Sequence, residues 1–305
     1  MSKHLIWLCC LVGWPAAIHA GAWTLPQGKF LGKITMFQQE TDEEYVGIPR
    51  PYFAEGEFRQ HKAGTRLPYR ENGKYDSKAV FIEGVYGVTD RLDLGLQVPY
   101  FDQVFTDDKY EIIGADPPSD SGFSDMRVFA KWRVIQKPVL FSLKTVAKMP
   151  TGEFLNVDGL IPVGEGQWDF DFVGQLGRSF WPLPLYGNID LGYRVRMKNK
   201  EIDRDPGDEW LLNAELGYNI TRWSLLVGKL EAIRSKKGIA QGIKSRSLIK
   251  RITYFSPVLM FSLSDYAVLE LGVRFSLNGR NFSAGHQVTL GASTNVDILD
   301  LLGRR

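Results

Sequence analysis

The sequence predicts an all-β chain, a transmembrane antiparallel up-and-down β-barrel of about 12 strands preceded by a cleaved signal peptide. Three observations carry that prediction. Segments of about 10 to 13 residues alternate apolar and polar side chains, and the links between them alternate between short and long. Beyond the first twenty residues, no apolar run approaches the ~20 residues that a membrane helix requires.

The N-terminus comes first. Lys3, an apolar run from Leu5 to Ile18 and small residues at Ala20, Gly21 and Ala22 read as an export signal. The domain division is therefore 1–20, signal peptide, and 21–305, outer-membrane β-barrel. Cys9 and Cys10 follow bulky Ile6, Trp7 and Leu8, which does not suit a lipid-attachment box, and both depart with the signal. The mature chain then has no thiol, excluding disulfides, thiolate catalysis and cysteine metal sites. Loss of Lys3 from the 37 Lys and Arg leaves 36 against 35 acidic residues, a formal charge of +1 with His neutral. Such a balance implies no nucleic-acid partner.

The strands follow in order. A first segment spans 28–39. Val80, Ile82, Gly84, Tyr86 and Val88 then oppose Phe81, Glu83 and Val85, and after Thr89-Asp90-Arg91 the pattern resumes with Leu92, Leu94, Leu96 and Val98 against Asp93, Gly95 and Gln97. Met126, Val128, Ala130 and Trp132 oppose Arg127, Lys131 and Arg133; Val139, Phe141 and Leu143 oppose Ser142, Lys144 and Lys148. Trp168, Phe170 and Phe172 oppose Asp169 and Asp171, and Ile189, Leu191, Tyr193 and Val195 oppose Asp190, Arg194 and Arg196. Trp210, Leu212, Ala214 and Leu216 face away from Asn213 and Glu215. Less regular segments at 223–234 and 248–261, the latter interrupted by Pro257, precede two clear ones: Ala267, Leu269, Leu271 and Val273 against Glu270 and Arg274, and Val288, Leu290 and Ala292 against Gln287 and Thr289. An even count lets the sheet close with both termini on one side.

Short turns at 89–91, 136–138, 181–184, 219–222 and 262–265 alternate with long links at 40–75, 104–121, 149–166, 198–207, 235–247 and 278–284. Outer-membrane barrels sort their connections this way, with short periplasmic turns and long external loops; a soluble β-sandwich has no reason to. Tyr100, Trp132, Phe180, Trp181, Tyr186, Trp210, Tyr218, Trp223, Phe261 and Tyr266 cluster near strand ends and read as interfacial girdles. The predicted location is the outer membrane of a Gram-negative bacterium. The implied partners are the lipid bilayer, lipopolysaccharide, the barrel assembly machinery and a small-molecule solute.

The stretch from Tyr86 to Tyr100 around Thr89-Asp90-Arg91, the Gly122-Phe123-Ser124-Asp125 run, Lys148-Met149-Pro150-Thr151-Gly152 and Gly164-Glu165-Gly166-Gln167-Trp168-Asp169 resemble the outer-membrane barrel family labelled for the meta-pathway of phenol degradation. The resemblance covers roughly residues 86–169. It implies a barrel that passes small, often aromatic, molecules and carries no catalytic residues over. Many outer-membrane barrels end on an aromatic residue that the assembly machinery reads, whereas this chain ends Leu301-Leu302-Gly303-Arg304-Arg305. Either a short tail follows the last strand, or the final register shifts.

Enzymatic chemistry finds little footing. Only His61 and His286 remain in the mature chain, and neither has the nearby serine of an outer-membrane lipid hydrolase. Asp42, Glu43, Glu44, Asp116, Asp120 and Asp125 offer oxygen ligands but lack the spacing of a calcium loop, and read as solvated carboxylates. No cofactor or metal is expected. Lys236, Lys237, Lys244 and Arg246 form a basic loop that could meet lipopolysaccharide phosphates or simply be solvated.

The inward face is more telling. Glu83, Asp93, Arg127, Lys131, Arg133, Lys144, Asp169, Asp171, Asp190, Arg194, Arg196, Glu215, Glu270 and Arg274 are read as lumen-lining, and such charges need water or each other. They form either a hydrated pore or a crosslinked plug, and twelve strands leave room for a narrow channel only. Link 40–75 is the longest, and its rings Tyr45, Tyr52, Phe53, Phe58 and Tyr69 nominate it as a gating loop folded over or into the mouth. The expected function is a channel or uptake barrel for small, hydrophobic or aromatic molecules, with a lipid hydrolase or a non-conducting structural barrel as alternatives.

Overall fold

The computed structural model describes residues 21–54, 56–114, 116–155 and 162–297. Residues 1–20, expected to be a signal peptide, and the tail after Asp297 lie outside these residues. Twelve long strands make the wall: β1 Lys29–Thr41, β2 Lys74–Thr89, β3 Leu92–Thr106, β4 Arg127–Ile135, β5 Leu140–Lys148, β6 Asp169–Ser179, β7 Leu185–Arg196, β8 Glu209–Asn219, β9 Ser224–Ser235, β10 Arg251–Ser262, β11 Ala267–Arg280 and β12 His286–Asp297. Each pairs antiparallel with its sequence neighbour. β1 also pairs with β12, from Lys29 opposite Asp297 to Gln38 opposite Val288, and this closes the barrel. Closure removes the unpaired edge that an open sheet would present to lipid.

The alternation read from the sequence becomes an inside-out burial pattern. Leu94, Leu96, Ile82 and Ile34 are exposed, Leu96 at 43%, while inward Asp93 is 0% exposed. Large apolar side chains outside and buried charges inside are what a lipid-facing wall requires. Hydroxyls secure the tight turns: Thr89, Thr221 and Ser264 each accept the backbone N–H two residues on. Exposed rings mark two girdles, Trp132, Trp181, Trp223 and Tyr266 at the turn end and Tyr100, Trp168 and Trp210 at the loop end.

Two details depart from the sequence reading. Tyr186 does not join the girdle; it points inward, packs edge-on against Trp23 at 5.8 Å and donates to Glu215. It lies in register with the inward residues Asn188 and Asp190, and strand parity overrides its nearness to a turn. Pro257 sits within β10, and the β10–β11 pairing lapses across Ser256 and Pro257 before resuming at Val258 opposite Gly272. The ladder gives up the bond that proline cannot donate, with no free edge needed.

Candidate functional site: the barrel lumen

The lumen has three layers. At the turn end, residues 21–27 cross the interior before β1 begins. The Ala22 N–H donates to Asn188 Oδ1 at 2.9 Å, the Ser142 hydroxyl donates to the Ala22 carbonyl at 2.5 Å, and Lys131 donates to the Trp23 carbonyl. The Leu25 N–H donates to Asp93 Oδ1 at 3.0 Å, and Gln27 N–H to Asp90 Oδ1 at 3.0 Å. This strap therefore spans from the β2–β3 turn to β7. Leu25 is 1% exposed and packs with Leu31, Val85 and Phe129. Glycines admit the strap: a Cβ at Gly87 would stand 2.3 Å from the Pro26 carbonyl oxygen, and one at Gly177 2.8 Å from the Trp23 ring. Asp93 and Lys131 form an ion pair at 3.2 Å beneath it, and Arg133 lies one inward position nearer the turn.

The middle layer divides into unlike walls. On β1, β2 and β3, Phe37, Phe81 and Phe101 point inward, with ring centroids 5.4 and 5.7 Å apart in edge-to-face pairs. Ala79 stands opposite both Phe37 and Phe101 in the register, and its small side chain leaves room for Phe81 on the diagonal. Arg274 reaches over from β11, its guanidinium 3.8 Å from the Tyr254 ring and 6.0 Å from Phe37, and pairs with Glu231 at 2.9 Å. Around this layer Glu83 accepts from Gln97, Glu270 from Lys33 at 2.7 Å, and Asp190 from Gln175 at 2.9 Å. Glu215 faces Lys229 at 3.7 Å, and Lys144 lies over the Phe129 ring at 4.0 Å.

Toward the loop end, the β5–β8 wall carries a continuous ionic network. Lys148 contacts Asp125 at 2.6 Å, Glu165 at 2.9 Å and Asp169 at 3.2 Å. Arg196 joins Asp169, Glu209 and Glu165; Arg194 grips Asp171 with two nitrogens, at 2.7 and 2.9 Å, and reaches Glu209 at 2.9 Å. The register builds this network by setting Asp169 opposite Arg196, Asp171 opposite Arg194 and Arg194 opposite Glu209. Arg127 lies in the same layer, opposite Lys148 and Gln97. Glu165 enters from the 149–168 loop. The surrounding protein desolvates it, but Arg196, Lys250 and Lys148 hold its carboxyl well below the usual carboxylate range.

The five rings of the first loop do not lie together. Tyr45 is buried, and its hydroxyl donates to the Ser276 carbonyl at 3.0 Å; Tyr69 hydrogen-bonds Ser283 at 2.8 Å and packs on Phe105. Burial pushes the Tyr69 hydroxyl up to about 12. Tyr52, Phe53 and Phe58 instead ride on a hairpin, Arg50–Ala54 with Glu57–His61, where Phe53 and Phe58 are 64% and 86% exposed. His61 stacks on Tyr52 at 4.1 Å, and His286 lies against Phe275; neither bonds a serine among the described residues. The loop carboxylates have cations or backbone as partners: Glu43 with Arg66, Glu44 with Arg50, and Asp120 with the Val163 N–H.

Sequence alternation places Phe81 on the inward Glu83 face, but the row of Phe37, Phe81 and Phe101 is not singled out there, and the strap and the bridging Glu165 and Glu209 are missed. Aromatic residues on the polar parity of β1–β3 were the available signal for the rings. The strap has no periodicity to reveal it.

Residues 90–291 match the family model described as "Putative MetA-pathway of phenol degradation". Among solved structures, the COG4313 outer membrane channel from Pseudomonas putida F1 is similar, with 16% identity, 90% of this chain and 98% of that chain covered, and a TM-score of 0.73. The NanC porin shares 7% identity over 86% of this chain and 98% of its own, with a TM-score of 0.48. The CymD monoaromatic hydrocarbon channel shares 9% over 90% and 89%, with a TM-score of 0.44. A search of curated proteins found no match.

Proposed function

Because this chain belongs to the family described for the MetA pathway of phenol degradation, we propose that it is a channel or uptake barrel of the outer membrane that passes small apolar or aromatic molecules. The observation that carries this is the half-buried row of Phe37, Phe81 and Phe101 turned into the lumen. Aromatic faces on the polar side offer an apolar solute a surface that a wholly ionic lining lacks. The exposed rings Tyr52, Phe53 and Phe58 give the loop side a first apolar contact for such a solute, and the ionic wall restricts the remaining bore. A hydrolase is disfavoured by the placement of His61 and His286.

The strap at 21–27 favours a second reading, a barrel that is shut at rest. Both readings meet in one experiment. After signal removal, deletion of residues 22–26 should raise single-channel conductance in planar bilayers and speed entry of a small aromatic solute into liposomes. Unchanged conductance in a folded deletion variant would remove the strap as the closure. Absence of any aromatic flux, with the strap present or deleted, would leave a structural barrel.

A further inference from the structure

Three arginines stand side by side on the outer wall at the loop end. Arg234 on β9 is opposite Arg251 on β10, and Arg251 is opposite Arg280 on β11. Their neighbours Ile233 and Ile252 pack inward with Tyr45 and Tyr254, so alternation turns the arginines outward. A bulge at Leu277, where the register steps from Ser276 opposite Tyr254 to Asn278 opposite Thr253, brings Asn278 to the same outer face. Directly below lie exposed Phe255, Phe275 and Leu277. The row thus marks the upper edge of the apolar band, where the headgroups of the outer leaflet begin.

Like charges directly opposite one another destabilise a sheet. On the ionic wall of the lumen Asp169 stands opposite Arg196 and Asp171 opposite Arg194, but the outer row has no carboxylate among its register partners. Arg234 donates to the carbonyls of Ile233 and Ile252 and to Thr253 and Asn278; Arg280 donates to the carbonyls of Gly47 and Arg246. These neutral acceptors fix the guanidinium groups without cancelling their charge. Arg251 is exposed, and its side chain has no hydrogen bond or ion pair among the described residues. It opens onto a rim cavity of about 520 Å³ that Lys236, Lys237 and Lys244 also line, with Asp205 and Asp208 as the opposing charges. Asp208 is already engaged by Lys236 at 3.3 Å.

An anion must meet this row from outside the chain. Arginine forks match phosphate oxygens, and basic clusters at a membrane surface recognise phosphorylated headgroups. We propose that Arg234, Arg251 and Arg280, with Lys237 and Lys244 of the adjoining cavity, bind the phosphates of lipopolysaccharide, whose acyl chains lie on Phe255, Phe275 and Leu277. Free phosphate would meet the charge but not use the apolar surface beneath it.

The test titrates purified, detergent-solubilised protein with rough lipopolysaccharide, with the same glycolipid after dephosphorylation, and with inorganic phosphate. Arg251→Gln should weaken binding of the intact glycolipid about five- to tenfold, and Arg234→Gln added to it should weaken binding further. Lys78→Gln, an outward cation on β2, should leave it unchanged. The Arg251 side chain makes no bond among the described residues, so its replacement does not put folding at stake; heat-dependent gel mobility verifies this for each variant. Equal affinity for the dephosphorylated glycolipid, unchanged binding by Arg251→Gln, or inorganic phosphate binding as tightly as the glycolipid would each overturn the proposal.

Discussion

The β1–β3 wall and the β5–β8 wall face the same narrow lumen but satisfy it in opposite ways. On the ionic wall, Lys148, Asp169, Asp171, Arg194, Arg196 and Glu209 are joined to one another by ion pairs, and the register makes opposite charges direct neighbours. On the aromatic wall, Phe37, Phe81 and Phe101 meet edge to face and remain half-buried, leaving ring surface toward the lumen. A charge network has little left to offer an apolar solute, because its charges are already paired with one another. An aromatic face remains available after its own packing. Under the proposed function, rigidity falls to one wall and solute contact to the other.

The largest effect should come from breaking the ionic wall. Arg196 contacts Asp169, Glu209 and Glu165. Arg196→Met leaves the buried carboxylates of Asp169 and Glu209 without their shared cation, and removing one partner of a buried pair costs about 3–5 kcal/mol. The expected result is a lower urea midpoint for the refolded barrel, with the lumen rings still intact. A midpoint equal to that of the parent protein would show that the network is hydrated and the two walls alike.

The aromatic wall should respond in function more than in stability. Phe81 touches both Phe37 and Phe101, and edge-to-face pairs contribute about 0.5–1.5 kcal/mol each beyond their area. Phe81→Ala should therefore unfold only slightly earlier, yet slow liposome entry of an aromatic solute relative to an equally small hydrophilic one. Equal slowing of both solutes would indicate a collapsed bore and erase the proposed division between the walls.

How much of this was legible in the sequence follows from the range of the interactions. Period-two alternation is local, and so the faces of Leu94, Leu96 and Asp93 and the twelve-strand wall could be read directly. The parity of short and long connections is equally local. Tyr186 was misread because proximity to a turn was weighed above strand parity, although Asn188 and Asp190 share its face. The strap escaped because its bonds run to Asp93, Ser142 and Asn188, 68, 120 and 166 residues from their partners. Nothing in residues 21–27 alone announces those partners. The first loop was taken as a unit, but Tyr45 and Tyr69 pack on partners near the chain's other end, while Phe53 and Phe58 do not.

The smallest effect concerns pH, and it separates the walls by titration. Glu165 is the ionic wall's link to the 149–168 loop, and despite desolvation its carboxyl is held well below the usual range by Arg196, Lys250 and Lys148. An unfolded or released glutamate titrates near about 4.3. With the folded value depressed, the released loop binds more protons, so the contribution of Glu165 is fully present above the released value. It is lost as pH falls through the lower folded value. Conductance should therefore stay flat from neutral pH down to about 5, and change only in stronger acid as the loop lets go. Glu165→Gln, which carries no charge to lose, should show the released-loop conductance already at neutral pH and no further step in acid, while Phe81→Ala should leave the acid profile where it was. A conductance step near neutral pH that persists in Glu165→Gln would detach the loop from this network and place the titrating group elsewhere in the barrel.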